Sequence, residues 1–161
     1  MRKLLLASTA ALIAAPAVAQ EEIKLGVILG FTGPIESLTP SMAAGAELAM
    51  SEVTESGALL GGATVTPVRA DSTCIDSAAA TAAAERLITS EGIKGIMGAD
   101  CSGVTGAILS NVALANGIVM ISPSATSPAL SSAEDDGLFF RTAPSDARQG
   151  VVMTEILMEL G

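Results

Sequence analysis

The chain has 161 residues, half of them hydrophobic, with 8 basic against 17 acidic residues and no histidine, tryptophan or tyrosine. The missing histidine excludes Ser-His-Asp and Cys-His catalysis and any histidine-ligated metal. A net charge of −9 with only 2% aromatic residues argues against a nucleic-acid binder, which needs a basic footprint and often stacking rings.

Met1-Arg2-Lys3 is a short positive start, Leu4 to Val18 is uncharged and apolar or small, and Ala17-Val18-Ala19 is a small-x-small cleavage site after Pro16. Together they read as a secretory signal peptide over residues 1–19, cut before Gln20. A membrane anchor is the alternative, but the run is shorter than the roughly 20 apolar residues a span needs. The expected mature chain is therefore soluble and exported. Loss of Arg2 and Lys3 leaves 6 basic against 17 acidic residues, or −11. Such a surface repels anionic lipid and nucleic acid, although plain solubility accounts for it as well. Export also makes a disulfide the expected state of Cys74 and Cys101. A redox pair would normally be C-x-x-C, and a catalytic thiol would want a histidine.

Ile23 to Leu29 reads as a buried strand. A helix follows from Ser41, with Met42, Ala46, Ala49, Met50 and Val53 on one face and Gly57 as its stop. Thr64 to Ala70 reads as a second strand. Asp76 caps an alanine-rich helix that ends near Gly92. Ile93 to Ala99 is a third strand. Ser102 reads as the N-cap of a helix carrying Val104, Ile108, Leu109 and Val112 on one face and stopping at Gly117. Ile118 to Ser122 is a fourth strand. A long Ser/Pro-rich loop, Pro123 to Gly137, leads to a fifth strand over Leu138 to Thr142. Asp146 and Gln149 read as a capping box for a last helix with Val152, Ile156 and Leu160 on one face. Apolar strands alternating with helices predict an α/β fold, a doubly wound parallel sheet covered on both faces.

Ligands of such sheets bind outside the carboxyl ends of the strands, at the switch in strand order. Three loops there carry suggestive residues: Gly30 to Pro34, Asp100 to Gly103, and Pro123 to Thr126. Ser102 opens a helix, so its hydroxyl, the free N–H groups and the helix dipole suit a carboxylate or phosphate. An ordinary N-cap is the simpler account of the same residue. Ser124, Ala125 and Thr126 offer a carbonyl and a hydroxyl suited to an ammonium or hydroxyl donor, or form only a proline-bracketed turn. Glu134-Asp135-Asp136 lacks EF-hand spacing and reads as a solvated turn. There is no dinucleotide fingerprint, P-loop or nucleophile elbow, and no convincing carboxylate pair. The pattern favours a binder over an enzyme, with no cofactor or metal expected.

The segments IKLGVILGFTGP, AGAELAMSEV, DSTCIDSAAATAAAERLI, IKGIMGADCSGVTGAI and NGIVMISPSAT together resemble the type I periplasmic substrate-binding proteins of branched-chain amino acid ABC transporters, the Leu/Ile/Val-binding proteins. The resemblance covers essentially the whole mature chain. It implies that Cys74 and Cys101 form the family's disulfide. It implies that Ser102, with Gly103 beside it, holds an amino-acid carboxylate. Ser124, through its carbonyl, would accept from the ammonium group, and Thr126, next to Ala125, would touch both groups. The family's usual aromatic over the ligand side chain is absent; the matching stretch is Glu36-Ser37-Leu38, where Leu38 supplies aliphatic contact instead. Members are more than twice this length, with two lobes. The expected organisation is thus a signal peptide over 1–19, an N-terminal ligand-binding lobe over 20–145, and a helix over 146–161 leading toward a second lobe, as in a fragment or truncated frame. The implied function is the solute-binding component of an importer for hydrophobic amino acids, monomeric when full length and partnered by an inner-membrane permease. The alternative is a sensor or receptor domain of the same fold for amides or small carboxylates.

Overall fold

The computed structural model describes residues 21–161, so the signal peptide expected over 1–19 lies outside the described residues. Five strands, β1 (Glu22–Leu29), β2 (Thr64–Asp71), β3 (Gly95–Gly98), β4 (Val119–Ser122) and β5 (Phe139–Arg141), form one sheet in the order β2-β1-β3-β4-β5. Every pairing is parallel, with Val27 beside Arg69 on one side and Met97 on the other. The chain steps outward from β1 to β2 and then returns past β1 to β3. The switch in strand order therefore falls between β1 and β3.

The helices are α1 (Thr39–Ser56), α2 (Ser77–Arg86), α3 (Ser102–Ile108), a short α4 (Leu114–Asn116) and α5 (Asp146–Leu160). A π-helical turn, Leu109–Ala113, joins α3 and α4 into one rod, and another, Leu87–Glu91, extends α2. α1 starts two residues before the expected Ser41, because Pro40 sits in the first turn, where no intrahelical N–H is required. Gly57, Gly92 and Gly117 end their helices at φ of 62°, 70° and 63°, a region that penalises a Cβ. β3 and β4 are shorter than their apolar runs for a shared reason. The Ile93 and Ile118 N–H groups close the preceding helical segments on Leu87 and Ala113 carbonyls, so they do not enter the ladder.

The larger core lies on the α2 and α3 side. Ile28, Ile96, Met120 and Phe139 point there from four neighbouring strands, against Ala80, Ala84, Leu87, Val104, Ile108 and Val112. The small Ala80 and Ala84 let α2 sit close to the sheet. On the other side α1 lays Ala43 and Met50 over Val27 and Leu29. The expected cover on both faces is incomplete, because α1 reaches only the β1–β2 half of the sheet. Val119, Ile121 and Phe140 on β4 and β5 remain 44%, 42% and 53% exposed. α5 buries none of its residues, so its apolar side chains do not cover that face.

Candidate functional site

The carboxyl ends of β1, β2 and β3 are tied together by one buried carboxylate. Asp100 is 3% exposed and accepts from Gly30 N–H at 2.8 Å, Cys101 N–H at 2.9 Å and the Ser72 hydroxyl at 3.3 Å. A polar side chain in such a place is tolerable only when its oxygens have hydrogen-bond partners, as both have here. Beside it, the expected disulfide joins Cys74 after β2 to Cys101 at the start of α3, with Cα atoms 5.2 Å apart. Thr105 anchors the same turn by donating to the Ala99 and Cys101 carbonyls.

Ser102 is not an N-cap. Cys101 holds the extended cap position without a side-chain cap bond, and Ser102 is the first helical residue. Its hydroxyl oxygen is engaged across the site, accepting from the Thr126 and Ser127 N–H groups, each at 3.1 Å. A hydroxyl has two acceptor positions and one donor. With both acceptors occupied, Ser102 presents only its O–H.

The β4 loop has the opposite polarity. Ser124 donates its hydroxyl to the Asp100 carbonyl at 3.0 Å, and Thr126 donates its own to Asp146 Oδ2 at 2.9 Å. Each hydroxyl thereby uses its one proton and keeps its lone pairs as acceptors. Asp146 is not part of a capping box. Ser145 caps α5 by accepting from Ala147 N–H, which releases the Asp146 carboxylate toward Thr126. The Asp146 N–H also donates to the Thr126 carbonyl at 3.0 Å.

Ser102, Ser124 and Thr126 line a pocket of about 330 Å³ with Ile35, Leu38, Met42, Asp100 and Cys101. Four residues expected at the site, Leu38, Ser102, Ser124 and Thr126, are thus brought together. Two others are placed differently. Ala125 is fully buried, its N–H donating to the Ser122 hydroxyl and its carbonyl accepting from Arg141. Gly103 is exposed on α3, and a Cβ there would meet nothing within 4 Å.

The loop that carries Ile35 and Leu38 hangs from β2. Asp71 accepts from the Thr32 hydroxyl at 2.6 Å, Thr32 N–H at 3.3 Å and Thr73 N–H at 2.8 Å. Burial works to raise the Asp71 pKa, but these bonds and one from Phe31 N–H together hold it below the usual value. Arg69 lies over the Phe31 ring at 5.3 Å and grips Glu47 of α1 through two nitrogens. That hydrogen-bonded fork lowers the Glu47 pKa and raises that of Arg69.

Sequence reasoning missed Asp71, Arg141 and the site role of Asp146. Their partners lie on other elements, with no local spacing to reveal them. The Glu134-Asp135-Asp136 run forms the expected turn, Asp135 accepting from Gly137 N–H at 2.9 Å.

A family model described as periplasmic binding protein matches residues 22–161. The Leu/Ile/Val-binding protein of Escherichia coli strain K12 is 32% identical over 157 residues, 98% of this chain and 41% of its own length. Leu/Ile/Val-binding protein homolog 3 of Brucella melitensis is 30% identical over 150 residues, 93% of this chain and 39% of its own. A solved ABC transporter substrate-binding protein from Desulfitobacterium hafniense, complexed with Leu, superposes with a TM-score of 0.73 at 31% identity, covering 88% of this chain and 40% of that one. The chain spans about two fifths of the length of these relatives.

Proposed function

The chain belongs to the periplasmic binding protein family, and from that premise we propose that it is the solute-gripping first lobe of an extracytoplasmic importer component for branched-chain or related amino acids. The observation that carries the reading is the split polarity of one pocket. Ser102 is left as a donor, while Ser124 and Thr126 are left as acceptors, within about the same 330 Å³. A solute with an acceptor and a donor on one carbon, as in an α-amino acid, meets both halves. Its carboxylate takes the Ser102 O–H, strengthened by the first free N–H groups of the α3 rod. Its ammonium donates to Thr126 and Ser124. Ile35, Leu38 and Met42 form an apolar wall for the side chain, and the relatives' names support a branched aliphatic one.

The role needs no catalytic step. The solute is held and then passed to a membrane permease, and residues 146–161 lead toward a second lobe that closes over it. A thermal-shift screen of the complete gene product against amino acids, amides and small carboxylates tests the reading. Selective binding to the native state raises its melting temperature. Leucine, isoleucine or valine should raise it most. A response to carboxylates lacking an amine, with none to the amino acids, would sink the proposal.

A further inference from the structure

We propose that Arg141 is a positioning residue that sets the donor polarity of Ser102, and with it the preference for a carboxylate over a neutral amide. This rests on the amino-acid reading above. Arg141 closes β5 and sends its guanidinium under the β4 loop. Nη1 donates to the Ala125 carbonyl at 3.2 Å and the Ser127 carbonyl at 2.9 Å, while Nη2 donates to the Ser131 hydroxyl. The two carbonyls flank Thr126 and are drawn to one side. The Thr126 carbonyl turns the other way, to Asp146 N–H at 3.0 Å.

With the carbonyls fixed, the Thr126 and Ser127 N–H groups converge on Ser102 Oγ. Arg141 and Ser102 thus grip the Ala125–Thr126 peptide unit from opposite sides, and the next unit, Thr126–Ser127, is held between Asp146 N–H and Ser102 while Arg141 fixes the Ser127 carbonyl beyond it. Arg141 is absent from the pocket lining and acts through the loop it holds. Without it, the Ala125 and Ser127 carbonyls turn to water, the convergence is lost, and Ser102 regains its acceptor positions. A hydroxyl free to accept or donate no longer distinguishes a carboxylate from an amide, whose NH₂ also donates.

The test uses the complete gene product as wild type, Arg141→Gln and Arg141→Lys. Amide hydrogen exchange without ligand reads the grip itself. Arg141→Gln should speed exchange at Thr126 and Ser127 about tenfold or more, the size of one lost hydrogen bond, with Val27 and Met120 unchanged as the fold control. Lysine keeps a cation but lacks the second nitrogen, so Arg141→Lys should fall between and remain informative if the glutamine variant does not fold. Calorimetry with L-leucine and L-leucinamide reads the consequence: the wild-type preference for leucine should shrink about tenfold in Arg141→Gln. Wild-type exchange at Thr126 and Ser127 in the variants overturns the proposal. So does an undiminished leucine preference. A wild-type protein that binds neither probe counts against the amino-acid reading, while the exchange rates still decide whether Arg141 holds the loop.

Discussion

Ser102 and Thr126 are joined by a bond that gives them opposite roles. The Thr126 N–H donates to Ser102 Oγ at 3.1 Å, while the Thr126 hydroxyl donates away to Asp146. One residue is left with a proton to give and the other with lone pairs to offer. Ser102→Ala removes the donor and also strands two N–H groups. On the proposed amino-acid reading, affinity of the complete gene product for L-leucine should fall by about 1.5–3 kcal/mol, the worth of a hydrogen bond to a charged group. Calorimetry measures it, and an unchanged affinity would remove Ser102 from the site.

Thr126→Val tests the other half. It keeps the shape but deletes the acceptor for the ammonium. Leucine should bind about tenfold more weakly, while 4-methylpentanoate, leucine without its amine, keeps its wild-type affinity. Equal losses for both compounds would show that Thr126 acts only by holding the loop.

Asp71 carries a pH prediction. Its pKa is lowered in the folded chain, so below its ordinary value of 3.8 the unfolded state binds the proton more readily. The stabilisation is complete above that value and is lost as pH falls through the lower folded value. Glu47, lowered by Arg69, acts in the same sense from 4.5 downward. Urea unfolding from about pH 6 to about pH 2.5 should show stability falling at the acid end, with a shallower fall in Asp71→Asn. Identical slopes would show that the Asp71 bonds form equally in the unfolded chain.

The Cys74–Cys101 bridge closes a separation of 27 residues. Cys74→Ser with Cys101→Ser should cost about 3–4 kcal/mol of stability in the chain-entropy account. Denaturant titration of the double variant beside the oxidised wild type measures this. A loss below about 1 kcal/mol would show that the loop is already constrained without the bond.

Much of the fold was legible because it is written locally. The β1 run, the Asp76 cap and the three glycine stops each depend on neighbouring residues, and each formed as expected. The loops of the site were also legible, since a parallel sheet puts its strand ends on one side. What was hidden depends on distant partners. Ser102 looked like a cap because capping is its commonest local use, yet donors from the β4 loop claim its oxygen. Asp146 looked like half of a capping box, but Ser145 takes the cap and Thr126 takes the carboxylate. Nothing near Arg141 in sequence announces the two carbonyls it holds. The bare side of β4 and β5 was hidden too, since periodicity shows that a face is apolar but not what lies over it.

The loop hung from Asp71 has a consequence for how such a site can change. The polar floor is interlocked: Ser124 donates to the Asp100 carbonyl, Ser102 accepts from the Thr126 and Ser127 N–H groups, and Arg141 holds the Ala125 and Ser127 carbonyls, so loss of the Ser102 or Arg141 side chain loosens the whole β4 loop. The apolar wall is not. Ile35, Leu38 and Met42 meet the pocket from outside that network. Mutational freedom is therefore concentrated in the wall, where a lineage can exchange one solute side chain for another while the floor keeps the same grip.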